Sequence, residues 1–310
     1  MRKLGKYLLR RFAFMIITLW VIITISFFFM KLLPGTPFDD ERIPEAVLEN
    51  MMAQYGLDKS IPEQYVLYLS NVVQGDFGVS YRIKNREVTT IIAEKFAPSA
   101  IIGIHALIIS VPLGIILGMI AALRRGTAID YAAVGFAVIG FAIPSFVVAV
   151  ALQYLIAGNG LLPSALWGTY EHVILPSIAL ALSMFAYYAR MMRSEMLEVL
   201  GQDYIKTAKS KGLSSTAIIF KHAFRNSLIP IITSLPVVIL FTISGSLVIE
   251  QIYSIPGLGT ELVKSVLSRD YTVSMGLTLF YAVMYIVALF IVDLLYSVVD
   301  PRIRVAGGSE

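Results

Sequence analysis

The feature that most constrains this chain is a series of six apolar runs, each 17 to 27 residues long and each free of Lys and Arg. A helix needs about 20 mostly apolar residues to cross a bilayer. Soluble domains carry about 25% charged residues, whereas this chain of 310 residues carries 15%. The pattern predicts an all-α integral membrane protein with six transmembrane helices. The predicted spans are residues 12–30, 99–123, 132–157, 173–189, 228–249 and 273–299.

Two of these runs leave an alternative open. The run 12–30 follows five basic residues, as the apolar part of a signal peptide does. It is longer than the usual 7–15 residues of such a part, and Lys-Leu-Leu-Pro-Gly follows it in place of a small-residue cleavage site. We therefore expect a retained anchor helix. The run 173–189 is the shortest of the six, so five spans are the alternative to six.

The distribution of charge indicates the orientation. With six spans, both termini lie on one side of the membrane, and that side receives 16 of the 25 Lys and Arg residues. Basic residues are retained in cytoplasmic loops, so we expect both termini in the cytoplasm. The predicted organisation is an anchor helix over 1–35, a small extracytoplasmic segment over 36–98, a five-helix core over 99–299 that includes a cytoplasmic segment at 190–227, and a cytoplasmic tail over 300–310.

The residues that most enzymes and pumps need are missing from the sequence. There is no Cys, no phosphate-binding loop of the form G-x-x-x-x-G-K-[ST] and no cluster of His, so we predict no catalytic site, no metal site and no cofactor. Carriers driven by ion gradients place ionisable groups near the midplane, yet His105 and Asp293 are the only acidic, basic or His residues in the six runs. The energy for any active transport should therefore come from outside this chain. An ion-coupled secondary carrier, and a membrane scaffold or intramembrane enzyme, are the alternatives.

The segment 190–227 contains a short amphipathic helix. We expect Asp203 to cap its first turn and Gly212 to end it in the left-handed conformation, with Tyr204, Ile205 and Ala208 on one apolar face. Ser214 or Ser215 then caps a second helix over 216–226, and Pro230 begins the next span. The apolar face could fit the groove of a partner that supplies force, or it could lie on anionic lipid. The residues alone leave both interpretations open.

Residues 202–230, QDYIKTAKSKGLSSTAIIFKHAFRNSLIP, resemble the cytoplasmic coupling segment of permease subunits of ATP-binding-cassette (ABC) importers. The general pattern there is E-A-A-x-x-x-G, of which Ala208 and Gly212 match, whereas Lys206 stands at the Glu position and Thr207 at the first Ala. The form Asp-Tyr-x-x-Thr-Ala-x-x-Lys-Gly-Leu is similar to the oligopeptide, dipeptide and nickel branch. Other stretches similar to that branch are LLPGTP at 32–37, LRRG at 123–126, IPSF at 143–146, GSLVIE at 245–250, IPGLG at 255–259, RDY at 269–271 and DPR at 300–302.

The resemblance implies the type I ABC importer permease fold and a set of partners. These are a second, paralogous permease subunit, two ATPase subunits that bind ATP and Mg²⁺, and an extracytoplasmic peptide-binding protein, with membrane lipid around the subunit and no nucleic acid. The long first outer segment resembles the first, or B-type, permease of the pair. The resemblance also implies the plasma membrane of a bacterial or archaeal cell. Within this branch we expect oligopeptides as substrate, with dipeptides or nickel complexes as alternatives. Carried over residue by residue, the implied ATPase contacts are Asp203, Tyr204, Thr207, Ala208, Lys211, Gly212 and Leu213.

A translocation path for peptides should offer polar side chains, because a peptide carries a full set of backbone donors and acceptors. The candidates are hydroxyl-bearing residues within the spans. The first choices are Ser145, Tyr187, Thr242 and Ser244, and the others are Ser110, Ser183, Tyr188 and Ser246. The alternative is that these hydroxyls bond to the preceding helical turn or join neighbouring helices.

Overall fold

The computed structural model describes residues 2–32, 38 and 45–299, and nearly all of them lie in helices. Among these residues the β-structure is limited to one isolated bridge between Val79 and Glu87, which confirms the predicted all-α class. The helices are α1 (Arg2–Leu32), α2 (Glu45–Gln54), α3 (Ile61–Val73), α4 (Val88–Leu123), α5 (Ala128–Ala142), α6 (Ser145–Leu152), α7 (Glu171–Leu200), α8 (Asp203–Ser210), α9 (Ser215–Ala217), α10 (Arg225–Ile243), α11 (Leu247–Ile252), α12 (Leu258–Leu267) and α13 (Tyr271–Val299), with π-helical stretches at Gln153–Ala157 and Ile218–Phe224.

Five stretches of the described chain are long and apolar enough to cross a membrane. They are Leu9–Leu32, Val88–Leu123, Glu171–Leu200, Ser215–Ile252 and Tyr271–Leu295. A sixth is formed when the bent pair Ala128–Ala142 and Ser145–Ala157 counts as one span. The six predicted runs therefore all fall on helices, and the protein is a multi-pass membrane protein.

The irregular span is the third run, because α5 and α6 meet at an angle of 95°. The residue before a proline is disfavoured in the helical conformation, and Ile143, which precedes Pro144, is extended with φ −82° and ψ 120°. The sequence placed the five-span alternative on the run 173–189, but that run lies inside the 30-residue helix α7. The alternative was therefore attached to the wrong run.

The chain packs into two compact units. The first unit comprises Met1–Ala97 and Gly257–Ile286, and the second comprises Pro98–Pro256 and Val287–Glu310. Helices α4 and α13 contribute residues to both units. The four-part organisation drawn from the sequence stays a prediction. Its tail at 300–310 lies outside the described residues, as do residues 33–37 of the motif that follows the first span.

The first unit contains the segment that the sequence places outside the membrane. Helices α2 and α3 belong to this segment. At the start of α3, the backbone and side chain of Ser60 both donate to Glu63 Oε2, at 3.0 and 2.7 Å. An apolar core joins the beginning of α4 to α12 and α13. Its fully buried members are Val88, Ile91, Ile92, Leu258, Val273 and Leu277.

The second unit is built around α7, which contacts α5, α6 and α10. Helix α4 approaches α7 closely at Gly118, where an added Cβ would lie 2.7 Å from Met192 Cβ and 3.0 Å from Arg193 N. Small residues allow such backbone approach between membrane helices. The same helix face carries Tyr188, Met192 and Met196 into a buried apolar cluster that also includes Ala223 and Ile231. The packing therefore connects α7, which precedes α8, to the residues that follow α8.

Candidate functional site

Helix α8 and the residues around it form the candidate site, which covers the segment 190–227. The helix runs from Asp203 to Ser210, and Gln202, not Asp203, occupies the N-cap position with φ −69° and ψ 150°. The prediction that Asp203 is the cap was therefore wrong by one residue. Its carboxylate instead accepts from Lys206 Nζ at 2.8 Å, one turn later. Gly212 has φ +76°, as predicted for the residue that ends the helix.

The apolar face of α8 is directed into the chain and not towards a partner. Ile205 is 0% exposed and Ala208 is 8% exposed, and both pack against Ile218, with Leu213 beside them. The sequence-based idea that this face fits a partner's groove is therefore corrected. The reason is local, because the chain turns back at Gly212 and supplies its own apolar cover from the following helix.

What α8 offers to a partner is a polar face. We call the surface formed by Asp203, Lys206, Thr207, Lys209 and Ser210 the exposed face of α8, since each of these residues is exposed. Lys211 and Gly212 are exposed at its C-terminal end. Of the residues predicted to contact an ATPase, Asp203, Thr207, Lys211 and Gly212 are accessible to a partner. Ala208 is buried on the opposite face of α8.

Tyr204 connects α8 to the following helix through a hydrogen bond. Its hydroxyl accepts a hydrogen bond from Asn226 Nδ2 at 2.9 Å, and the ring remains 42% exposed. Asn226 belongs to the first turn of α10. Tyr204 therefore ties α8 to the helix that continues into the next membrane span.

The second helix of the segment is continuous with the span that follows. Ser214 caps it, since its Oγ accepts from Ala217 N at 3.3 Å. Helical structure then continues through α9, the π-helical stretch Ile218–Phe224 and α10. The expectation of a separate helix over 216–226 was wrong, because Pro230 lies inside α10 and does not begin a new helix. A displacement of α8 would act directly on a membrane span.

A buried ion pair holds the other end of the segment. Arg193, near the end of α7, donates from Nε to Asp130 Oδ1 at 2.6 Å and from a terminal nitrogen to Asp130 Oδ2 at 2.8 Å. Asp130 is 3% exposed and also accepts from Gly126 N at 3.0 Å. Two-pronged pairing of Arg with a carboxylate is both strong and directional. The pair joins the turn between α4 and α5 to the helix that leads into α8.

Sequence reasoning missed the pairing of Arg193 with Asp130. The two residues are 63 positions apart, so no local pattern signals their pairing. The same holds for Glu250, which is 2% exposed and accepts from Ser99 Oγ at 2.7 Å. The available signal was the rarity of acidic residues so close to the ends of apolar runs, because a charge in that position needs a partner.

The four first-choice path residues lie on α6, α7 and α10, except that Ser244 directly follows α10. Thr242 and Ser244 donate to the carbonyls four residues earlier, Val238 O at 2.6 Å and Leu240 O at 2.5 Å. This is the alternative that the sequence left open for them. Ser145 is the first residue of α6, after the bend, and the ring of Tyr187 is 37% exposed and lies 5.1 Å from that of Tyr188. A role for the four in translocation stays a prediction.

Tyr253 shows how tightly the neighbouring part of the second unit is closed. It is 2% exposed, donates from its hydroxyl to Ala149 O at 3.0 Å, and burial raises its pKa to about 12. The backbone carbonyl of the same residue accepts from Leu166 N at 2.8 Å. The loop before α7 is therefore fastened to the end of α11.

Comparison with known proteins gives similarity over almost the whole chain. Residues 114–305 match the family described as the inner membrane component of binding-protein-dependent transport systems, and residues 4–100 match the N-terminal part of such membrane components. The dipeptide transport system permease protein DppB of Bacillus subtilis is 45% identical over 303 residues, covering 97% of this chain and 98% of that protein. DppB of Lactococcus lactis is 39% identical over 300 residues, covering 96% and 99%. The oligopeptide transport system permease protein OppB of Salmonella typhimurium is 43% identical over 303 residues, covering 96% and 99%.

Proposed function

The chain belongs to the family of inner membrane components of binding-protein-dependent transport systems, and from that premise we propose that it is a transmembrane subunit of an ATP-driven peptide importer. Family membership confirms the resemblance that the motifs indicated. Relatives that are 39–45% identical over nearly their full length are named as permeases for dipeptides or for oligopeptides, which supports peptides as the substrate class. The narrower expectation of oligopeptides stays a prediction.

We propose that three kinds of partner complete the transporter. A second permease subunit forms the other half of the path, two ATPase subunits bind and hydrolyse ATP with Mg²⁺, and an extracytoplasmic binding protein delivers the peptide. The chain itself is the permease and not the ATPase, in keeping with its family and with the absence of a phosphate-binding loop from its sequence. It contributes half of the translocation path and a mechanical connection between the ATPase subunits and that path.

The observation that carries the mechanical part is the packing of α8. Ile205 and Ala208 pack α8 against the chain's own Ile218. A partner that pushes on the exposed face of α8 therefore moves α8 together with the residues around Ile218. From there, helical structure continues through α10 into a membrane span. On the other side, the Asp130–Arg193 pair passes the displacement from α7 to the turn before α5.

Substitutions on the exposed face of α8 test the proposal. Thr207→Trp adds bulk there, and Lys209→Glu reverses a charge, while neither side chain is buried. We expect each variant to reach the membrane at normal levels and to lose at least about tenfold in ATP-driven peptide uptake. Lys84→Glu, the same change at an exposed residue of the first unit, is the matched control. Normal uptake by both α8 variants would refute the docking role.

Ala208→Asp is unsuitable for the same test. Ala208 is buried, so a carboxylate there would lose its hydration without gaining a partner and would destabilise the segment itself. A loss of uptake would then report misfolding as readily as failed docking.

Thiol labelling tests the proposed orientation, with both termini and α8 in the cytoplasm. The chain has no Cys, so a single introduced Cys is labelled without background. In intact cells, we expect a membrane-impermeant maleimide to label Lys84→Cys and to spare Lys209→Cys, and permeabilised cells should show both labelled. Labelling of Lys209→Cys in intact cells would reverse the assignment of sides.

A further inference from the structure

The first unit contains a cleft that the proposed docking role of α8 does not involve. It encloses about 400 Å³ and lies among the end of α1, helix α3, the loop before α3 and the beginning of α13. That volume falls in the range of small-molecule sites, which is about 300–1,000 Å³. Its lining includes Phe27, Lys31, Lys59, Tyr68 and Asp76. The cleft therefore combines aromatic walls with charged groups.

The walls of the cleft are held in place by hydrogen bonds and ring contacts. Gln64 on α3 donates from Nε2 to Lys59 O at 2.7 Å and to Leu57 O at 3.2 Å, and its Oε1 accepts from Lys31 Nζ. Phe27 stacks on Tyr68 with 5.9 Å between the ring centroids. Burial raises the pKa of Tyr68 to about 12, so that ring is a neutral wall. Gln64 thus couples the position of Lys31 to the loop that carries Lys59.

Among the described residues that line the cleft, positive charge predominates. Lys31 and Lys59 belong to this part of the lining, and Asp76 is the one acidic residue in it. Asp76 Oδ1 is already engaged, because it accepts from Gly78 N at 2.8 Å. Lys31 Nζ also lies 5.6 Å from the centroid of the Phe27 ring, a cation–π contact that keeps the ammonium at the wall of the cleft. An anionic ligand fits this arrangement better than a cationic one.

The location of the cleft indicates where such a ligand comes from. Lys31 is in the last turn of α1, at the end of the span Leu9–Leu32, and Tyr271 begins another span. Lys and Tyr at the ends of spans lie at the level of the lipid headgroups. Beside Lys31, the side chains of Phe29 and Leu32 are 64% and 80% exposed. A ligand in the cleft can therefore keep acyl chains against α1 while its polar end reaches the two lysines.

We propose that this cleft binds the headgroup of an anionic phospholipid such as phosphatidylglycerol, in the leaflet at the Lys31 end of α1. The phosphate lies between Lys31 and Lys59, and the glycerol lies against the aromatic wall. The chemistry of the site is that of a phosphate ester, and its position at the bilayer surface selects a lipid over a free phosphate. This inference does not rest on the peptide-import function, since it concerns lipid binding alone.

Native mass spectrometry of the full-length chain, purified with whatever subunits accompany it, tests the proposal. The probe is phosphatidylglycerol in nanodiscs or mixed micelles, with phosphatidylcholine for comparison. One lysine near an anionic lipid surface is worth about a fivefold change in binding, so Lys31→Gln with Lys59→Gln should reduce phosphatidylglycerol retention by roughly 25-fold. Lys84→Gln, which removes an exposed charge from the same unit outside the cleft, should leave retention unchanged. Lys31→Arg with Lys59→Arg should restore it.

Several outcomes would overturn the proposal. These are retention in the double Gln variant equal to that in the parent, equal retention of phosphatidylcholine, and displacement of the lipid by millimolar inorganic phosphate, which would make the site one for free phosphate. Lys59→Gln alone serves where the double variant fails to fold, because Lys59 is exposed. Its expected loss is about fivefold, and an unchanged value would likewise contradict the proposal.

Discussion

Two buried carboxylates, one in each unit, are accommodated by different chemistry. Asp130 in the second unit is matched by a full opposite charge, Arg193. Asp270 in the first unit is equally buried at 3% exposed, and it is surrounded by dipoles. It accepts from the Ser80 hydroxyl, from Tyr81 N at 3.1 Å, from Thr272 Oγ1 at 3.0 Å and from Val273 N at 3.4 Å.

The difference shows what each carboxylate is needed for. At position 130 the negative charge itself matters, because a guanidinium next to it requires a counter-charge. At position 270 the number of acceptor sites matters, since several donors converge on one side chain. Asp270 joins residues 80 and 81 to the start of α13 and, together with desolvation, raises the pKa of the Tyr81 hydroxyl. An Asn substitution removes the charge, keeps the shape and retains one of the two acceptor oxygens, so we expect its cost to be larger where the charge itself is needed.

The largest effect is expected from Asp270→Ala. The change leaves the Ser80 hydroxyl and the Tyr81 N–H without their acceptor in a buried place, and a buried donor left unpaired costs about 1–3 kcal/mol. We expect the free energy of unfolding in detergent to fall by about 3–4 kcal/mol. Asp58→Ala, at an exposed residue of the same unit, is the control. A loss under about 1 kcal/mol would show that the hydrogen bonds around Asp270 contribute little.

Asp130→Asn should destabilise the protein by about 2 kcal/mol, somewhat below the cost of breaking a fully buried pair, because the Arg193 side chain is 27% exposed. A double-mutant cycle with Arg193→Gln measures the interaction directly. We expect a coupling energy of at least about 1 kcal/mol between the two sites. Additive effects would mean that the pair contributes packing and no charge interaction.

Asp270→Asn should cost about 1 kcal/mol, less than the same change at position 130. The amide oxygen can still accept from the backbone N–H groups, and only the second acceptor is lost. The comparison depends on this order, so both Asn variants should be unfolded under one set of conditions. A larger loss at 270 than at 130 would reverse the assignment of charge to one site and acceptor number to the other.

The smallest effect concerns a third carboxylate, Glu63, which is exposed. Hydrogen bonds from the Ser60 side chain, and then from its backbone, lower the pKa of Glu63. A lowered folded-state pKa means that the stabilisation is present at neutral pH and is lost as the pH falls through that value. We expect amide exchange at Ser60, corrected for intrinsic pH dependence, to lose protection on acidification, and Glu63→Gln to remove this dependence. The same acid response in the Gln variant would contradict the assignment.

The sequence predicted the structure correctly where a single helix or turn determined it. The apolar runs indicated all the membrane helices, and Gly212 marked the end of α8 because few other residues adopt its left-handed conformation. The sequence was insufficient wherever two distant elements met. An apolar stripe on α8 looks the same whether it faces a partner or its own chain, and only the fold shows that Ile218 covers it.

Two other errors have the same physical origin. The helix breaks at Ile143-Pro144 and continues unbroken through Ile229-Pro230, although the local sequences are similar. Proline is tolerated in a membrane helix where neighbouring groups satisfy the freed carbonyls. Whether a given proline bends the chain depends on that tertiary environment. The pairing of Asp130 with Arg193 likewise depends on the approach of α5 to α7, which no short pattern encodes.

The central claim is that this subunit transports only when ATPase subunits act on α8. The most direct measurement is uptake of a labelled peptide into proteoliposomes that contain this chain alone, or this chain with the proposed permease, ATPase and binding-protein partners. We predict accumulation with the complete set and ATP, and none from the chain alone under an imposed proton or sodium gradient. Uphill uptake by the chain alone would contradict the account and would identify it as an ion-coupled carrier.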